Sequence, residues 1–245
     1  MDPNRTAGTS AGQTGEPVLT EGQAGYFSHV VGHGCANSAG VYSGVIGASV
    51  LFPYSATSTA KYTESGTAKT GVLSDHLSTT LFGNVALTGG STIWPKYSYH
   101  TATVSGATKQ VGWKFYGGTS YTSADGVIKD RALVPFYVGA QTFKATSCAS
   151  KVVFHVVTAN YCQNAGLPST GYANIWMPAF NQPAIRSKYS NLEIGDASGF
   201  VVKLNRSTTA YPSTCATDTS KQYTVDVYVN DTDIDNYLPQ YIPSP

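Results

Sequence analysis

Charged side chains are scarce in this sequence: they make up 12% of the 245 residues, and the formal net charge is +1. The 15 lysines and arginines are scattered along the chain. A surface that binds nucleic acid needs basic residues in clusters, because it has to neutralise closely spaced phosphates. The sequence therefore argues against a nucleic-acid partner.

Long apolar runs and methionines are also scarce. No stretch approaches the roughly 20 apolar residues that a helix needs to cross a bilayer, so we predict no membrane span. Only Met1 and Met177 could supply a thioether, which excludes a methionine-rich copper motif. The sequence also lacks a nucleophile elbow, a Walker loop and a dinucleotide fingerprint, and we expect no enzymatic activity.

The four cysteines, Cys35, Cys148, Cys162 and Cys215, form no CxxC pair, which argues against a zinc site of the usual spacing. An even number favours two disulfides in an oxidising compartment over four buried thiols in a cytosolic protein. Their spacing allows three connectivities. We therefore expect a secreted or outer-cell-surface protein. Residues 1–15 lack the pattern of a secretion signal, so we expect that a signal was removed and the initial methionine added.

Glycine, tyrosine and β-branched residues dominate the composition and favour strands and tight turns, with 25 Gly and 17 Tyr in the chain. Short apolar or alternating runs are separated by turn residues such as Gly-Gly pairs. This pattern of short strands and turn residues predicts an all-β fold, a β-sandwich or Greek-key barrel with long loops. The predicted strands cover residues 26–31, 45–52, 81–87, 97–104, 110–116, 133–138, 152–158, 200–204 and 223–229.

The flanks of the chain differ from its centre. Residues 1–16 are rich in Gly, Thr and Ser without apolar periodicity, and we predict a flexible leader there, followed by a single domain over 17–245. Residues 74–81 (SDHLSTTL) have the pattern of a capped helical turn. The tail 231–245 carries three prolines and is expected to lie along the surface.

Five histidines offer imidazole ligands, although a single histidine is more often structural: His29, His33, His76, His100 and His155. Strand alternation places His155 beside Val153 and Val157, which predicts a core histidine with a satisfied hydrogen bond. In YFSHVVGHGC the same alternation puts Phe27 and His29 on one face. We expect His33 to follow in a turn that its hydrogen bond stabilises. His76 and His100 could each face a surface site.

Two other motifs have simpler explanations. GHGC places Cys35 near His33, but a thiol protease needs a free, activated cysteine, and a disulfide is favoured here. The run of Asp231, Asp233 and Asp235 suggests calcium. It lacks the glycine of a calcium loop, and Ile242 stands where the bidentate glutamate belongs, so we predict a solvated acidic loop.

The segments AGYFSHVVGHGC and PFYVGAQTF…VVFHVVTANYC, with Trp113 in VGWKFYGG between them, resemble the YcnI-like domain of bacterial copper proteins. The resemblance covers most of residues 17–165 in order, with large insertions between the blocks. It implies an immunoglobulin-like β-sandwich with a Cys35–Cys162 disulfide. The pair that is then left is Cys148–Cys215.

Phe27-Ser28-His29 is also similar to the Trp-x-His element of the methanotroph surface copper proteins of the MopE/CorA type. That resemblance implies a copper(I) ion held by two histidines, His29 and, as the preferred second ligand, His100, with His76 in reserve. Phe27 takes the place of the tryptophan beside the site and cannot become kynurenine. The N-terminal histidine that YcnI-like proteins use has no counterpart, because no histidine precedes His29.

Three functions compete. The first is copper capture or storage at the outer cell surface without turnover, with a copper ion as the partner. The second is a structural or adhesive surface module of the same fold without a metal site, which the missing tryptophan favours. The third, a copper-dependent polysaccharide monooxygenase, needs a histidine at the mature N-terminus. Cleavage before His29 would cut a predicted strand, so this function ranks last.

Overall fold

A computed structural model describes residues 6–7, 17–33, 35–36, 42–78, 86–87, 93–118, 127–162, 172–176, 194–195, 200–207 and 211–237. Strands dominate these residues. The early strands are β1 (Thr6–Ala7), β2 (Val18–Thr20), β3 (Gly25–His33), β4 (Cys35–Ala36), β5 (Tyr42–Ser43), β6 (Val45–Leu51), β7 (Thr59–Glu64), β8 (Thr67–Val72) and β9 (Ala86–Leu87). The later ones are β10 (Lys96–Val104), β11 (Ala107–Tyr116), β12 (Val127–Val138), β13 (Ala149–Cys162), β14 (Tyr172–Trp176), β15 (Ile194–Gly195), β16 (Phe200–Asn205) and β17 (Tyr223–Tyr228). The helical elements are short: η1 (Leu73–Asp75) and η2 (Thr219–Lys221) are 3₁₀ turns, and α1 (Ser213–Ala216) and α2 (Asp231–Tyr237) are α-helical.

Two sheets contain most of these strands. The smaller sheet has the order β1-β3-β12-β9, and the larger one follows β10-β11-β6-β13-β17-β7-β8, with β14, β15, β16 and β2 attached beside that path. The long strand β13 joins the two halves of the larger sheet. Its first half pairs with β16 and β17, and its second half pairs with β6 and β14.

The core lies between the two sheets. The smaller sheet contributes Phe27 and Phe136, and the larger sheet contributes Phe52, Trp113 and Phe154, all in one buried cluster that we call the inner core. Phe52 contacts both Trp113 and Phe136, at ring-centre distances of 5.4 and 5.9 Å. Because apolar faces of two sheets pack against each other, the fold is a β-sandwich, as predicted.

A second buried cluster, the outer cluster, lies on the opposite face of the larger sheet. Leu51 and Val157 alternate with inner-core residues on their strands, and Ile234 of α2 packs over them. The Tyr54 hydroxyl donates to the Asp233 carboxylate at 2.6 Å. Burial raises the pKa of both groups.

This packing corrects the prediction of a solvated acidic loop at residues 231–235. The segment forms the helix α2, in which Ile234 is 1% exposed. Burial of Ile234 favours the helix, and the early acidic residues Asp231 and Asp233 suit its N-terminal end, where the helix dipole is positive. Acidic residues at this spacing therefore did not mean solvent exposure.

Most predicted strands are present, and β12 and β13 extend beyond their predicted ends. The hairpin of β7 and β8 was not predicted, because its Thr- and Lys-rich strands lack apolar alternation. Its Ser65-Gly66 turn has positive φ angles of 49° and 79°, as a tight hairpin turn requires.

In the predicted leader, Thr6–Ala7 form β1 against β3. The predicted helical turn at 74–81 is a 3₁₀ turn, η1, with residues 79–81 outside the described part.

One of the two predicted disulfides is described. Cys148 and Cys215 are bonded across 67 residues, which joins the start of β13 to α1. The side chains of Cys35 and Cys162 lie outside the described part, and their pairing stays a prediction; the backbone of β4 (Cys35–Ala36) contacts β13.

A buried arginine fixes the segment that carries Cys148. The Arg206 guanidinium donates to the backbone carbonyl oxygens of Lys144 (3.1 Å), Ser147 and Ala149 (3.3 Å). It also lies 5.0 Å from the centre of the Phe143 ring. Guanidinium groups hold several acceptors at once because their donors are fixed in one plane. The disulfide is therefore anchored at its Cys148 end by a rigid backbone.

The double variant Cys148→Ser/Cys215→Ser should lower the free energy of unfolding by about 4 kcal/mol, the chain-entropy value for a closed loop of this length. Guanidinium chloride denaturation, followed by circular dichroism, measures the change. A loss below about 1 kcal/mol would show that the crosslink contributes little to stability.

Candidate functional site

His29, the first predicted copper ligand, lies on β3 opposite Val134 of β12. Its side chain is 4% exposed and faces the inner core, with its ring centre 5.0 Å from that of Phe200. Its Nδ1 has no hydrogen-bond partner among the described residues. Burial lowers the pKa of His29 to about 4, so the imidazole is neutral at physiological pH.

His100, the preferred second ligand, lies on β10 opposite Gly112 of β11. Its Nε2 is 2.6 Å from the Ser49 hydroxyl, and its ring centre is 5.2 Å from that of Tyr237 in α2. Burial lowers the pKa of His100 to about 3, with a smaller contribution from the positive charge of Lys114. His100 is therefore a buried, hydrogen-bonded residue under α2, and it does not face a surface site.

The two imidazoles lie on opposite sides of the larger sheet: His29 belongs to the smaller sheet and packs on the inner side, and His100 belongs to the larger sheet and points to the outer side. Along β6, Val50 belongs to the inner core and Leu51 to the outer cluster, so Ser49 shares the face of Leu51. His100 contacts Ser49 on that outer face, whereas His29 contacts the inner core. The backbone of the larger sheet thus separates them. The structure does not bring His29 and His100 together.

His76, the reserve ligand, is held at a third place. It is 2% exposed, its Nδ1 is 3.2 Å from the Ser147 hydroxyl, and its ring packs edge-on against Tyr62 and Tyr223. Burial lowers its pKa, and its Nε2 has no partner among the described residues. None of these contacts is shared with His29 or His100.

The remaining predicted residues do not complete a metal site. Phe27 packs on Phe136 in the inner core at a ring-centre distance of 5.8 Å. His33 ends β3, where a turn was expected, and its side chain lies outside the described part. In the described ranges no group of three or more His, Cys, Asp or Glu side chains is placed to hold a metal ion. His29, His76 and His100 thus lie at three separate places in the described part of the structure.

His155 forms a hydrogen bond, as predicted, but it is not the core histidine that was expected: its side chain is 16% exposed, and its Nδ1 has no hydrogen-bond partner among the described residues. Its Nε2 is 2.8 Å from a carboxylate oxygen of Asp226, and its ring stacks on Tyr228 at 4.4 Å with an interplanar angle of 9°. It faces outward, however, because Val152 and Phe154 on the same strand point into the inner core. The His155–Asp226 pair therefore belongs to the exposed side of the larger sheet.

That exposed side carries a site that the sequence did not reveal. A groove of about 600 Å³ lies over β7, β8 and β17. It is lined by Lys61, Tyr62, Thr63, Ala68, Lys69, Thr70, Thr224 and Asp226, most of which have a charged or hydroxyl-bearing side chain. The signal in the sequence was the alternation of Thr and Lys at positions 61, 63 and 70, which marks one polar sheet face once the hairpin is known.

Comparison with family models, with curated proteins and with solved structures finds no match for this chain. The resemblance to copper proteins thus stays a prediction that rests on the quoted segments. Among the described helices none is long and apolar enough to cross a bilayer.

His29→Leu should make the protein less sensitive to acid. The folded-state pKa of His29, about 4, lies below the unfolded value of 6.5, so the unfolded chain binds more protons between these pH values. The free energy of unfolding of the native protein therefore falls as the pH drops below about 6.5. The difference between native protein and variant should change by about 2 kcal/mol from neutral pH to about pH 5, measured by denaturation.

Val134→Ala is the matched control, because it removes core volume from the residue paired with His29 but no titrating group. Its stability should run parallel to that of the native protein across the same pH range. A parallel curve for His29→Leu as well would show that this imidazole titrates normally in the folded state.

Proposed function

We propose that the chain is a non-catalytic structural or adhesive module of a secreted or cell-surface protein, built on a disulfide-bonded β-sandwich. One observation supports this proposal over copper capture: His29, on the smaller sheet, packs against the inner side of the larger sheet, whereas His100 lies on the outer side of the larger sheet. Two histidines can hold copper(I) only if their nitrogens converge on one point. For the nitrogens of His29 and His100 to reach one copper ion, the hydrogen-bonded strands between them would have to separate.

The use of the histidines supports the same conclusion. In both His76 and His100, one ring nitrogen forms a hydrogen bond with a serine hydroxyl, and the ring packs against tyrosine rings. His29 fills space beside Phe200. Burial keeps all three neutral by lowering their pKa values. These are the properties of residues that help to pack a domain.

The crosslink supports a location outside the reducing cytosol. Cys148–Cys215 is a disulfide, and such bonds persist mainly in secreted and surface proteins. A second bond between Cys35 and Cys162 belongs to the same proposal. A module that is crosslinked and stable suits a permanent structural or adhesive role at a cell surface.

Copper(I) titration against a competing chelator tests the proposal. The native protein should not take up one tightly bound equivalent, and His29→Leu and His100→Leu should behave like it, with His155→Gln as the control. Tight binding that is lost in both His29→Leu and His100→Leu would contradict the module and restore copper capture. Binding that persists in both variants would assign the metal to other ligands and would also contradict it.

Intact-mass measurement tests the crosslinks independently. Full reduction should add about four hydrogens, because four cysteines in two disulfides each gain one. A gain of about two would leave Cys35 and Cys162 as thiols and would remove one argument for an oxidising compartment.

A further inference from the structure

We propose that the exposed half of the larger sheet binds an acidic polysaccharide, one whose sugar units carry carboxylate groups. The site is the groove over β7, β8 and β17 together with the adjoining face of β13 and β16; we call it the lysine face. The proposal deepens the adhesive role proposed above and rests on it. The lysine face contains Lys61, Lys151, Lys203, Thr63, Thr70, Thr224, His155 and Asp226.

Strand register places these side chains in rows. Lys61 lies opposite Thr70 on one side and opposite Asp226 on the other. Asp226 lies opposite Val153, which in turn lies opposite Lys203. Neighbouring strands are about 4.8 Å apart, so Lys61 and Lys203 are separated by about 14 Å across the sheet. The row is thus long enough to contact more than one sugar unit of an extended chain.

A second row lies beside the first. Lys151 is opposite Thr224 and Asn205, and Thr63 is opposite Ala68. The inner-core residues on the same strands, such as Val225, point the other way. All the polar residues of the two rows therefore share one face of the sheet.

This face is positive. Its described side chains include three lysines and one carboxylate, that of Asp226, which already accepts a hydrogen bond from His155. Any ion pair formed within the face leaves the sum of these charges positive. Lys69 also lines the groove and is paired with Glu64. The local excess contrasts with a net charge of only +1 for the whole chain.

The mixture of groups selects the ligand class. Threonine hydroxyls can donate hydrogen bonds to sugar hydroxyls and accept hydrogen bonds from them, and the second oxygen of Asp226 can accept one. The lysines attract carboxylates. A single-stranded nucleic acid fits less well, because its bases need free aromatic rings to stack on and Tyr228 is already stacked on His155. An open groove without an enclosed apolar pocket suits a flexible polar chain.

The rest of the outer face is already covered. Helix α2 and the outer cluster occupy the part over β6 and β11, where Tyr237 donates to the Thr101 carbonyl. Lys61 and Thr224, by contrast, are exposed. The two halves of one sheet face therefore differ: one is packed beneath a helix, and the other presents charge and hydroxyls to solvent.

Binding to polygalacturonate, measured by calorimetry with the full chain at low ionic strength, tests the proposal. We expect measurable affinity for polygalacturonate and none for neutral dextran. Lys61→Gln should weaken binding by about two- to fivefold, as expected for one solvent-exposed ion pair, and Lys61→Gln/Lys151→Gln/Lys203→Gln should weaken it by on the order of tenfold or more. Added salt should weaken binding further, because it screens these charges.

Lys109→Gln is the matched control, because Lys109 on β11 is partly exposed, like Lys151 and Lys203, but lies outside the lysine face; it should leave the affinity unchanged. Unchanged melting temperatures would show that all variants are folded. If the protein does not bind polygalacturonate, or binds dextran equally well, the proposal that the lysine face binds an acidic polysaccharide is wrong. The proposed structural or adhesive role is not decided by that result, because the copper titration tests it separately. Equal affinity for single-stranded DNA, lost in the same triple variant, would overturn the polysaccharide assignment.

Discussion

Side chains alternate between the two faces of a β-strand, and in this protein the alternation along β13 and its neighbours organises everything else. Inner-facing Phe154 meets the smaller sheet, whereas outer-facing His155 and Val157 point away from it. Because β13 pairs in both halves of the larger sheet, a shift by one residue would exchange core and surface along the whole layer. The sandwich, the buried histidines and the lysine face all depend on this one register.

The same constraint decides which residues can act together. Two histidines whose side chains lie on opposite sides of one sheet cannot share a small ion, however suggestive their sequence contexts are. His29 and His100 are separated in this way by the backbone of the larger sheet. A motif as short as Phe27-Ser28-His29 fixes one side chain relative to its neighbours on the strand. It says nothing about the residue that must complete a site from elsewhere in the chain.

The outer side of the larger sheet combines two physically different surfaces. Under α2, the Tyr54–Asp233 hydrogen bond and the packing of Ile234 hold against the sheet a segment that its acidic sequence predicted to be a solvated loop. Beyond it, lysines and threonines on paired strands present a polar face with an excess of positive charge. A stable scaffold that covers one half of a face and leaves the other half polar is well suited to adhesion, since binding then does not disturb the core.

The fold class could be predicted from the amino-acid sequence: strand-forming composition, turn residues and apolar alternation indicated a β-sandwich and most of its strands, and the even number of cysteines indicated disulfides. These patterns missed the β7–β8 hairpin because its strands are polar and lack apolar alternation, and they missed the helix α2 because the burial of that helix depends on partners such as Tyr54 that lie far away in the chain. Only the tertiary structure decided which face each strand turns to the core and which distant residues become neighbours. The physical reason is that alternation fixes relative orientation within a strand, whereas the pairing of strands fixes position, and pairing is a property of the whole chain.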